Sequence, residues 1–210
     1  MNAADTPPVA SEDAAWVVIQ TPLSARALKV FCDDLERLYR INPQLEYSAW
    51  RRTGPDAYHA EFRNLSNGRE TALDLARERV ADDAFRVDYA QGMKMSTWFR
   101  IEPTGQGSTL TITDDYSRLP RTERERRLDE VDHSLGAWGR GLYDYLRLER
   151  RWGWFPPWRW YMRRLWVPMK PMARRISWML IVINTAFFGL FLFVALIFWL
   201  EQRTGLKVFQ

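Results

Sequence analysis

Residues 93–116 read MKMSTWFRIEPTGQGSTLTITDDY, and their alternation decides the fold class. Met93, Met95, Thr97, Phe99 and Ile101 alternate with Lys94, Ser96, Trp98, Arg100 and Glu102. After the turn Thr104-Gly105-Gln106-Gly107, Leu110, Ile112, Asp114 and Tyr116 alternate with Thr109, Thr111, Thr113 and Asp115. A period of two with one apolar side describes strands covered on one face and wet on the other, as in an antiparallel sheet. The same punctuation recurs upstream at Thr53-Gly54-Pro55-Asp56, Ser66-Asn67-Gly68, Asp82-Asp83 and Gln91-Gly92, and Phe85, Val87 and Tyr89 again alternate with Arg86 and Asp88. Asn67-Gly68 predicts a two-residue type I′ hairpin, which needs positive φ at both central positions.

Working outward, Ala14–Thr21 is β-branched and stopped by Pro22, which predicts one more strand. Ser24 can cap a helix through residue 40, broken near Asp33-Asp34 and closed by Asn42-Pro43. Beyond Pro120, residues 121–151 carry Leu128, Val131, Leu135, Trp138, Leu142 and Tyr145 at helical spacing. Gly136, Gly139 and Gly141 interrupt that helix, each costing roughly 1 kcal/mol relative to alanine. Their presence predicts close approach to the sheet or space beneath the helix. The expected fold is α+β: a curved antiparallel sheet of about seven strands around a long C-terminal helix.

The order strand, paired short helices, six-strand meander, long helix resembles the helix-grip superfamily known as SRPBCC or START-like, which includes polyketide cyclase/dehydrase-type and coenzyme Q-binding proteins. The carriers are WVVIQTPLSARALKVFCDDLERLYRINP (16–43), TLTITDDYSR (109–118) and RERRLDEVDHSLGAWGRGLYDYLRLERR (124–151), so the resemblance spans about residues 12–150 and is one of pattern. It implies a hydrophobic ligand held between sheet and helix. On that basis the expected lining is Tyr58, Phe62, Leu73, Leu75, Tyr89, Met93, Met95, Phe99, Trp138 and Leu142. A packed core without a cavity would show the same residues.

The rest of the 210-residue, 24.9 kDa chain has a different solvent. Residues 176–200, ISWMLIVINTAFFGLFLFVALIFWL, carry no charge and at about 1.5 Å per residue can cross a bilayer core of about 30 Å. The alternative is a buried core helix. From Arg150 onward ten Lys/Arg face one acid, Glu201, while residues 1–149 hold 20 basic and 25 acidic residues. The basic residues cluster before the span, so the positive-inside rule puts the N-terminal domain in the cytoplasm. We expect a single-pass, tail-anchored protein of a bacterial inner membrane. Residues 152–175, opening WGWFPPWRWYMRRLWVPMKPM, are broken by Pro156-Pro157, Pro168 and Pro171. Trp152, Trp154, Trp158, Arg159, Trp160, Arg163, Arg164 and Trp166 suit the headgroup layer, where indoles and cations are both accommodated. A surface for a protein partner is the other reading. Residues 1–11 and 201–210 are expected to be a disordered tail and a short extension.

Candidate chemistry is sparse. His59 and His133 are the only histidines and nothing brings them together; one cysteine, Cys32, excludes a disulfide framework, and no metal or cofactor is expected. Asp114 shares a parity with Leu110 and Ile112. It is either a desolvated carboxylate able to act as a base or bind a headgroup, or a residue at the sheet rim, solvated or paired with an arginine; we expect the rim. No catalytic residue is assigned. The acidic balance of the folded part disfavours nucleic acid. Three functions remain in order: a membrane-anchored binder of a hydrophobic small molecule at the cytoplasmic face, in contact with membrane lipids; an accessory subunit of an integral membrane complex; and a cyclase or dehydratase, for which Asp114, His59 and Tyr116 are the available parts.

Overall fold

The computed structural model describes residues 14–204, with the side chains of 121, 123–133 and 204 outside that description. The expected tail 1–11, residues 205–210 and the side chain of His133 therefore lie outside the described residues.

Seven antiparallel strands form one curved sheet: β1 (Ala14–Thr21), β2 (Leu45–Arg52), β3 (Ala57–Asn64), β4 (Glu70–Arg79), β5 (Ala84–Tyr89), β6 (Ser96–Thr104) and β7 (Gly107–Asp115), in the order β1-β7-β6-β5-β4-β3-β2. Strands β2 to β7 are the expected meander, and β1 closes it by pairing with β7. Between β1 and β2 lie α1 (Ala25–Cys32) and α2 (Leu35–Arg40). The two adjacent aspartates divide them. Asp33 ends α1, while Asp34 caps α2 by accepting from the Arg37 amide at 3.1 Å, just as Ser24 accepts from the Ala27 amide to cap α1.

The long helix α3 (Arg121–Trp152) lies against the face that carries Phe99. Trp138 anchors it: its ring meets Phe99 and Tyr39, and its Nε1 donates to the Leu38 carbonyl at 3.0 Å. A Cβ at Gly139 would stand 2.8 Å from Val17 Cγ2, and one at Gly141 3.1 Å from the Ile41 carbonyl, so these two glycines are close approaches. A Cβ at Gly136 would meet nothing within 4 Å. Strand β6 is buried on both faces from Ser96 to Phe99, because the Arg86 guanidinium lies 5.2 Å from the Trp98 ring on the outer side.

Two local expectations change. The β3–β4 connection is not a two-residue turn: Asn64 N donates to Arg69 O and Gly68 N to Asn64 O, closing the longer loop 65–68 in which Gly68 takes φ 72°. Residues 152–175 are not wholly separate from the domain. Residues up to Pro168 belong to one compact unit. Within it α4 (Pro156–Tyr161) and the π-helical turn Met162–Trp166 return to the core, where Met162 and Val167 are buried and Trp158, Tyr161 and Trp166 pack at its edge. Trp152, Trp154 and Trp160 stay exposed.

The second unit begins at Met169 and is built on α5 (Pro171–Thr204). Its mean hydropathy reaches 2.6 and its apolar side chains are exposed, so it is one helix long and apolar enough to cross a membrane. Asn184 Nδ2 and Thr185 Oγ1 each bond the carbonyl four residues back, at 2.8 Å, which satisfies both polar groups within the helix.

Candidate functional site

A cavity of about 480 Å³ opens at one end of the domain, between α2, strands β2 to β4, the β5–β6 loop and α3. Its inner wall is aromatic. Tyr47 stands edge-on to Trp50 and contacts Phe62, while Tyr39 bridges Trp50 and Trp138 at ring separations of 5.7 and 5.2 Å. A β-bulge in β2 between Tyr47 and Ala49 lets Tyr47 and Trp50 share this wall although they are three positions apart. Exposed Asn67, Arg69, Glu70 and Gln91 form the outer end, where the cavity meets solvent.

The polar side of the cavity is built on Asp114, which is 0% exposed. The rim expectation is wrong: β7 lies between β1 and β6, so position 114 is covered on both flanks, and its partner is a lysine. Lys94 Nζ lies 2.5 Å from Asp114 Oδ2, Thr97 Oγ1 donates to Oδ1 at 2.6 Å, and Tyr116 OH donates to Oδ2 at 3.3 Å. Since the single Thr97 proton is committed to the carboxylate, Thr97 accepts from Tyr89 OH at 2.8 Å, and Tyr89 in turn accepts from Tyr39 OH at 2.6 Å. Every hydroxyl proton in this chain points toward Asp114.

Burial pushes the phenols of Tyr39, Tyr89 and Tyr116 above the ordinary tyrosine value, so they stay protonated. Burial alone would lower the Lys94 ammonium, but the Asp114 carboxylate carries it above the usual lysine value. Lys94 is thus a fixed cation and a poor nucleophile. It rides on a tight loop. Arg118 Nη2 donates to the Tyr89 carbonyl at 2.7 Å, and Gly92 takes φ 102° where a Cβ would come within 3.0 Å of Leu73.

No protein-family model matches the sequence, and no curated protein matches it significantly. Solved structures do resemble the fold. A START superfamily protein from Mycobacterium smegmatis superposes with a TM-score of 0.51 at 16% identity, over 63% of this chain and 96% of that one. Zhui aromatase/cyclase from Streptomyces sp. R1128 gives 0.52 at 11% identity, over 69% and 96%. The di-domain ARO/CYC StfQ of the steffimycin biosynthetic pathway gives 0.50 at 10% identity, over 66% and 52%. The fold is START-like.

Of the expected lining, the cavity in this START-like fold holds Phe62, Leu73, Leu75, Tyr89, Met93 and Trp138. Phe99 and Leu142 are 0% exposed and belong to the filled part of the core, where Phe99 stacks on Phe85 at 4.5 Å. Tyr58 packs beside Trp50 outside the cavity, and Met95 is 50% exposed. The Met95 error has a cause: β6 begins only at Ser96, so counting parity back through the loop puts Met95 inside and Lys94 outside, the reverse of what is found. Sequence reasoning also missed Tyr39, Tyr47 and Trp50. The tight aromatic spacing of β2 was a usable signal, hidden by the bulge.

Of the parts available for catalysis, His59 stands apart from Asp114 and Tyr116. His59 bonds Asp74 at 2.7 Å and lies outside the cavity; that hydrogen bond raises its pKa. Asp114 and Tyr116 do converge, but the carboxylate oxygens already receive Thr97, Tyr116 and Lys94, leaving Asp114 poorly placed to take a proton from a substrate. Cys32 is buried, and burial pushes its thiol up to about 12.

Proposed function

We propose that the chain is a membrane-tethered binding protein that takes a hydrophobic small molecule into the domain cavity. The observation that carries this reading is the cavity itself. Its volume of about 480 Å³ lies within the range of roughly 300–1,000 Å³ common to small-molecule sites, and its wall joins an aromatic and aliphatic inner part to polar groups such as Lys94. The START superfamily fold supports the same reading. In this proposal α5 is the tether and spans the bilayer, with the domain on the side of the basic flank, the cytoplasm. Arg150, Arg151, Arg159, Arg163 and Arg164, with exposed Trp154 and Trp160, would meet anionic headgroups. Tethering raises the concentration of the domain at the one surface where an apolar ligand is abundant.

The test is native mass spectrometry of the full chain purified in mild detergent, followed by organic extraction of bound material. A stoichiometric apolar compound is expected, and it should be lost from a folded Leu73→Arg variant, whose side chain enters the cavity. An empty, folded domain that co-purifies with a stoichiometric membrane protein would replace this reading with that of an accessory subunit.

A further inference from the structure

The polar wall of the cavity restricts the head group it can take. Lys94 Nζ sits 2.5 Å from Asp114 Oδ2 and 5.8 Å from the centre of the Trp138 ring, and both Lys94 and Trp138 line the cavity. An ammonium carries three N–H donors, and Asp114 uses one. The Lys94 side chain is 29% exposed and lines the cavity, and two of its donors are left for a group bound there. Tyr39 and Tyr116 also line it, but their protons are turned toward Tyr89 and Asp114, so their oxygens offer lone pairs only. Inside the outer end, where Arg69 and Glu70 stand, the inner wall therefore presents one cationic donor whose charge Asp114 balances.

This neutrality decides between ligands of similar shape. A carboxylate on Lys94 would share the ammonium with Asp114, placing two anions against one cation beside a fully buried carboxylate. Like charges repel more strongly there than in solvent, and both anions lose hydration. A neutral carbonyl oxygen accepts the same N–H without adding a second anion, in a charge-assisted hydrogen bond. The wall of Tyr47, Trp50 and Phe62, whose rings lie edge-on and tilted to one another, suits an apolar, unsaturated body.

We infer that the cavity selects an uncharged ketone-type carbonyl compound with an apolar, unsaturated body, its oxygen on Lys94, and that Asp114 excludes the corresponding carboxylate. The inference rests on the cavity being the ligand site, as proposed above.

The experiment titrates the full chain in detergent, by calorimetry at pH 7, with two probes that share a ring system: methyl 2-naphthyl ketone and 2-naphthoate. The ketone is expected to bind the native protein roughly tenfold or more tightly than the carboxylate. Asp114→Asn releases the charge of Lys94 and should strengthen naphthoate by roughly tenfold. The double variant Lys94→Met/Asp114→Asn removes both charges; the ketone should weaken by roughly fivefold, the worth of one hydrogen bond, and the gain for naphthoate should vanish. If Asp114→Asn does not fold, the native protein and the double variant decide. Naphthoate binding as tightly as the ketone, no gain for naphthoate in folded Asp114→Asn, or an unchanged ketone affinity in the double variant each overturns the inference. Failure of both probes on the folded native protein instead removes the cavity reading on which it rests.

Discussion

At Asp114 the chain encloses a carboxylate with three donors and no solvent, and the energetic consequence depends on which partner is removed. Asp114→Ala leaves the Lys94 ammonium unpaired beside two unsatisfied hydroxyls, and should cost about 3–5 kcal/mol. Thr97→Val keeps the shape and leaves the ion pair intact but breaks one hydrogen bond to the carboxylate and one to Tyr89, so about 1–3 kcal/mol is expected. Urea unfolding followed by circular dichroism measures both, and equal losses would contradict the arrangement. The same residues set a pH limit. Folded Tyr39, Tyr47, Tyr89 and Tyr116 all have pKa values raised above the ordinary value near 10, chiefly by burial. Their contribution to stability is complete below that value and is lost as pH rises toward the folded one; Lys94, raised by its partner, acts in the same direction. Tyrosinate absorbance from this group should therefore appear together with loss of far-ultraviolet ellipticity. Smooth titration near pH 10 in an intact fold would show that these phenols are not enclosed.

Among the elements, α3 separates the two roles that glycine can have in a helix. Gly136→Ala should stabilise by up to about 1 kcal/mol, the propensity difference, because the new methyl meets nothing. Gly139→Ala meets the stiff side chain of Val17 at 2.8 Å and should destabilise by about 1–3 kcal/mol, read from thermal or urea midpoints. The three glycines were visible in the sequence, yet which of them was crowded was not, since that depends on β1 passing beneath one turn and on the end of α2 beneath another. Strand identities and order were legible because alternation and turn residues are local properties. Depth was not. Phe99 and Phe62 share the same pattern of alternation, but one lies in the filled end of the domain and the other beside the cavity. Parity also failed where the backbone left the strand before Ser96, which carries Lys94 into the site, and the bulge after Tyr47 brings Tyr47 and Trp50 to one wall.

For the molecule as a whole, the division into an acidic folded part and a basic, apolar end was plain from composition. The return of Met162 and Val167 to the core was not, because tryptophan-rich segments look alike whether they cover a domain or a membrane. The proposed span has a direct check. Leu190→Arg with Val194→Arg places two charges near the middle of α5, at about 2.5–3.5 kcal/mol each for insertion. The protein should then move from the membrane pellet to the supernatant on alkaline carbonate extraction; retention of the variant would argue against a spanning helix.

The sheet order also imposes a timetable on assembly. Each strand from β2 to β7 finds its next partner across one short turn, but β1 pairs only with β7, and Thr21 meets Ser108 87 residues later in the chain. β1, the first of these seven strands in chain order, is thus the last that can be paired. Its companion β7 supplies Asp114, so the carboxylate gains its cover on the β1 side only at that final closure.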